Sequence, residues 1–118
     1  MTRILLVEDD AAIRRALRRS LEDQGNAVAV APDGMTGLRL VLSEQPDVVL
    51  LDLGLPDVDG LRMLGMLRGV SDVPVIVVAS RAAPREALAS LEAAGVEVIV
   101  SSGENEAARV VSALNELG

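Results

Sequence analysis

Short apolar runs alternate with amphipathic segments from one end of the chain to the other. The runs fall at 4–7, 27–31, 48–51, 75–79 and 96–100. Each is rich in β-branched residues and bounded by polar or turn residues. Continuous apolar runs of this length suit strands buried on both faces of a sheet. The segments between them repeat apolar residues once per helical turn. Over 11–24, Ile13, Leu17 and Leu21 make the stripe, and Gly25 closes the segment. Over 33–45 the stripe is Leu38, Val41 and Leu42, stopping before Pro46, because proline disfavours helical backbone in the residue before it. Leu61, Leu64 and Leu67 mark a third helix over 58–68. Pro84 suits the first turn of a fourth helix (84–95), which carries Leu88 and Leu91 and ends at Gly95. A fifth (104–117) carries Ala107, Val110, Val111, Leu114 and Leu117.

Strands joined in series by helices predict a parallel sheet with right-handed crossovers. No linker, low-complexity tract or sequence repeat interrupts the series, so residues 1–118 read as one α/β domain. At this length the expected fold is a doubly wound, five-stranded sheet in the order 2-1-3-4-5, the flavodoxin-like (βα)5 arrangement. Functional groups in such a sheet gather at the carboxyl ends of its strands, near the switch point between strands 1 and 3.

Composition narrows the chemistry. The chain has no Cys and no His, which excludes disulfides, thiol chemistry and Ser-His or Cys-His nucleophiles. It also leaves zinc without its usual ligands, so any metal should be hard and oxygen-bound, such as Mg²⁺. There is no Phe, Tyr or Trp, so the core must be aliphatic. A net charge of −7 argues against direct nucleic-acid binding by this domain. All 11 cations are Arg. The apolar run at the start is too short for a signal peptide, and no run reaches membrane-spanning length, so a cytoplasmic location is expected.

The strand ends carry the candidate chemistry. Strand 1 runs into Glu8, Asp9 and Asp10, and strand 3 ends in Asp52. These strands flank the switch point, so their carboxylates should converge. Packed like charges repel and raise each other's pKa unless a cation neutralises them, and a hard divalent ion suits that task. A carboxylate can itself accept a phosphoryl group. Asp10 fits better as the N-cap of the first helix than as a ligand. Asp57 and Asp59, before Gly60, read as turn and cap residues. Arg14, Arg15, Arg18 and Arg19 read as a solvated helix face or, less simply, a docking face.

Taken together, Val7-Glu8-Asp9-Asp10, the segment 46–60 around Asp52, and Pro74-Val75-Ile76-Val77-Val78 resemble the receiver domains of bacterial response regulators. Ala93-Ala94-Gly95 is similar to the family's turn before strand 5, and the likeness spans nearly the whole chain. The resemblance implies that Asp52 accepts a phosphoryl group from the phosphohistidine of a sensor histidine kinase. It implies Mg²⁺ bound by Asp9, with Glu8 nearby or acting through water, and by Asp52 and the backbone carbonyl of Gly54. The local style is similar to receivers that precede a winged-helix DNA-binding domain. That implies regulation of transcription through an effector domain or partner outside these residues.

Three positions depart from the family. Its Ser or Thr at the end of strand 4 aligns with Ala79, and Ser80 lies one position later, where strand alternation turns it to the opposite face. Its Lys after strand 5 aligns with Ser102, and the chain has no Lys at all. Its aromatic switch residue is Ile99. Losing the Lys weakens stabilisation of phosphoryl charge, and losing hydroxyl and aromatic removes the parts that turn phosphorylation into movement. Arg81 is a candidate replacement cation, and Ser101 to Glu104 fits a capping box instead. Two readings stay open: a phosphoaccepting signalling module, and a phosphorylation-independent pseudo-receiver acting as an interaction or dimerisation module. A phosphohydrolase with an aspartyl intermediate is disfavoured, because no second acid stands two residues after Asp52. A homodimer through the face of the fourth helix, fifth strand and fifth helix (α4–β5–α5) would be supported by ion pairs of Glu97 and Arg109.

Overall fold

The computed structural model describes residues 1–52, 57, 60–79, 89, 93 and 96–100. Five parallel strands form one sheet in the order β2-β1-β3-β4-β5. They are β1 (Arg3–Val7), β2 (Ala27–Ala31), β3 (Val48–Asp52), β4 (Val75–Ala79) and β5 (Glu97–Val100). Three helices are described: α1 (Ala11–Asp23), α2 (Gly34–Glu44) and α3 (Gly60–Arg68). The helices expected over 84–95 and 104–117 lie outside the described residues.

The central strands are covered on both faces, as their unbroken apolar character requires. On one face Leu5, Val7, Val49, Leu51, Val75 and Val77 pack with Val41 of α2 and Met63, Leu64 and Leu67 of α3. On the other, Ile4, Leu6, Val48, Leu50, Ile76 and Val78 pack with Leu17 and Leu21 of α1. The alternation of these two sets along each strand is the period of two that a pleated backbone imposes.

The helix stripes are shifted slightly from their expected registers. Ile13, Leu42 and Leu61 stand largely exposed, whereas Met63 is fully buried. Each helix meets the sheet along one side only, so one or two residues per turn suffice to fill the contact. On α2, Gly37 allows a close approach: a Cβ built there would lie 2.8 Å from Cγ2 of Val7. The helix ends follow local chemistry. Asp10 accepts from the backbone N–H groups of Ala12 and Ile13, as expected for an N-cap. Asp33 caps α2 through Thr36, and Gln45 takes a left-handed φ of 48° before Pro46.

Candidate acid pocket at the strand ends

Register decides what meets at the carboxyl edge. Val7 pairs with Leu51, so the next residues, Glu8 and Asp52, stand level on adjacent strands. Both continue the parity of Ile4, Leu6, Val48 and Leu50, so both belong to the face that α1 covers. Glu8 is held to the sheet by its N–H, which donates to the carbonyl of Ala31 at 3.0 Å. Its carboxyl oxygen Oε1 accepts from the N–H of Asp10 at 3.3 Å.

Glu8, Asp9 and Asp52 come together as the strand ends suggest. One carboxylate oxygen from each lies within 4.8 Å of the others. Glu8 is 6% exposed, Asp52 is half-buried and Asp9 is exposed. Burial pushes the Glu8 carboxyl up from 4.5 to about 8, and the charges of Asp52 and Asp9 push in the same direction. The hydrogen bond from Asp10 opposes this and is outweighed. A buried carboxyl with two further acids beside it is a group that a nearby cation would suit. Its donors are all hard oxygens, and the chain has neither Cys nor His, so the residues fit Mg²⁺.

Other expected positions fare differently. Gly54, Ser80, Arg81, Ser102 and Arg109 lie outside the described residues. Asp52 pairs in register with Val78, and Val78 with Ile99. Ala79 therefore stands one step beyond the Asp52 level, on the edge strand side of the pocket. Ile99 shares the Asp52 level across β4.

Two residues do more than their sequence neighbours suggest. Asp57 reads as a turn residue in the sequence, yet its carboxylate accepts from the N–H groups of Gly34 at 2.9 Å and Met35 at 3.0 Å. It thus caps α2 from across the fold, satisfying donors that a helix N-terminus leaves open. Arg14 is half-buried, unlike exposed Arg15, Arg18 and Arg19. Its Nη1 donates to the carbonyl of Glu8 at 3.0 Å and of Asp9 at 3.4 Å. The signal for Arg14 was its position one turn after the cap, from which a long side chain can fold back over the acidic turn. Nothing local marked Asp57, whose partners are 22 and 23 residues away.

The response regulator receiver domain family matches residues 4–115, and the chain belongs to it. The Escherichia coli KDP operon transcriptional regulatory protein KdpE is 45% identical over 93 residues, covering 79% of this chain and 41% of that protein. The Streptomyces coelicolor transcriptional regulatory protein CseB is 37% identical, covering 99% of this chain and 51% of that protein. The chain thus spans about half, or less, of the length of these curated relatives. Among solved structures, the Thermotoga maritima response regulator TrrA in complex with Mg²⁺–BeF superposes with a TM-score of 0.84. That match is 27% identical and covers 100% of both chains. The protein is therefore a receiver domain of the two-component response-regulator class. Among the described residues, no helix is long and apolar enough to cross a membrane.

Proposed function

We propose that residues 1–118 form one receiver domain in which Asp52 accepts a phosphoryl group from the phosphohistidine of a sensor histidine kinase. The convergence of Glu8, Asp9 and Asp52 within 4.8 Å at the switch point carries this reading. A carboxylate oxygen of Asp52 attacks phosphorus. The O–P bond forms as the P–N bond breaks, and the imidazole leaves with the electron pair. Asp9, Asp52 and the Gly54 carbonyl would hold Mg²⁺, with Glu8 binding directly or through water. When bound, Mg²⁺ supplies the positive charge that lets anionic phosphoryl oxygens approach an acid cluster. The domain acts as a phosphoacceptor and not as a turnover enzyme. The likeness to KdpE and CseB, both transcriptional regulatory proteins, supports an output on transcription through parts beyond these residues.

Intact-mass spectrometry after incubation with Mg²⁺ and phosphoramidate tests this reading. One phosphoryl adduct is expected on the wild type, absent in Asp52→Asn and absent without Mg²⁺. The lack of any Lys favours a second reading, a pseudo-receiver that binds partners or dimerises without phosphorylation. No adduct on the wild type, even with a promiscuous kinase, together with partner binding that survives Asp52→Ala, would select it.

A further inference from the structure

The β1–α1 turn carries two of the three pocket acids, and its geometry depends on how its backbone is fixed. β1 ends at Val7, so the carbonyls of Glu8 and Asp9 have left the parallel ladder. A carbonyl released from a sheet near a partly buried turn needs another donor. Arg14 supplies it to both, from the second turn of α1. The helix beneath it is firmly placed. Its N-terminus is capped by Asp10, the N–H of Arg14 itself donates to the Asp10 carbonyl at 2.9 Å, and Leu17 and Leu21 seat α1 on the sheet.

We infer that Arg14 is a positioning residue for cation binding, fixing the Glu8 and Asp9 peptide groups so that their carboxylates face Asp52. This role rests on the reading of the pocket as a Mg²⁺ site. Each carbonyl that Arg14 grips belongs to the residue whose carboxylate enters the pocket. Holding the carbonyl oxygen on the helix side restricts rotation of the peptide planes, and so restricts where the side chains can point. The acids repel one another, so an unrestrained turn would relax by swinging Asp9, which is exposed, away from Asp52. Outer hydrogen-bond partners of ligand residues commonly set metal affinity in this way. Arg14 also brings a positive charge to the back of a turn rich in acids, in a chain without Lys.

The test is a Mg²⁺ titration followed by amide NMR on the ¹⁵N-labelled chain, for wild type, Arg14→Ala, Arg14→Lys and Arg15→Ala. Mg²⁺ affinity in Arg14→Ala is expected to fall about tenfold. Arg14→Lys should recover most of that loss, because an ammonium donates several hydrogen bonds at similar reach. Arg15→Ala, on the exposed face, should bind as the wild type does. An Arg14→Ala variant that melts at lower temperature yet keeps wild-type Mg²⁺ affinity overturns the inference and leaves the Mg²⁺ site standing. A wild type that binds no Mg²⁺ overturns both. Should Arg14→Ala not fold, Arg14→Gln takes its place with the same expectations, since its shorter side chain cannot span both carbonyls.

Discussion

Glu8 has a level partner in Asp52 across the ladder and little solvent to spread their charges. Its carboxyl therefore keeps its proton in the folded state up to about 8, while an unfolded chain releases it near 4.5. Between those values the folded state binds more protons, so the free energy of unfolding falls as pH rises. The contribution is fully present below 4.5 and lost on passing about 8. Guanidinium melts in EDTA, followed by far-ultraviolet circular dichroism, should show this decline. Glu8→Gln should flatten it relative to wild type, and saturating Mg²⁺ should do the same, because the cation takes over the task of the proton. An identical slope in Glu8→Gln would remove Glu8 as its source.

The elements reach the pocket through their contacts with one another. α2 lies against the end of β1 because Gly37 has no side chain where Val7 comes closest. Gly37→Ala places a methyl 2.8 Å from a buried branched side chain, where neither the strand nor the helix can give freely. It should destabilise the domain by about 1–3 kcal/mol, read as a shift in the urea midpoint. Val7 precedes Glu8, so the same variant should also move the Glu8 amide resonance. The N-terminus of α2 is tied a second time by Asp57, which links it to the segment following Asp52. β3, β1 and α2 are thus joined by packing on one side and by capping bonds on the other.

For the molecule as a whole, stability rests on aliphatic packing over two faces of one sheet. Leu50 sits at its centre, fully buried on the face that α1 covers. Leu50→Ala leaves a cavity bounded by strands on both sides, which cannot collapse easily. It should cost about 2–5 kcal/mol in chemical denaturation. With no Tyr or Trp to report on packing, such measurements need circular dichroism or NMR. Sheet order also fixes the site at this scale: β1 and β3 lie side by side at the centre, so acids 44 residues apart in sequence become neighbours.

The parallel sheet, its order and the acid cluster were legible in the sequence. Apolar runs of strand length, helices between them, and acids at the carboxyl ends of strands 1 and 3 leave few other arrangements for a chain this short. Periodicity also located α1, α2 and α3, and side-chain chemistry identified Asp10 as a cap, since both depend only on neighbours in sequence. Which apolar positions of a helix are buried was decided by tertiary contact, as exposed Ile13 and buried Met63 show. The same holds for Asp57 and Arg14. Asp57 looks like a turn residue until the fold brings it to the N-terminus of α2. Arg14 looks like its three neighbours until α1 docks and turns it toward the carbonyls of Glu8 and Asp9. Local pattern encodes what a residue can do with its sequence neighbours. Only docking of one element on another decides which of several identical side chains is buried, and what it then holds.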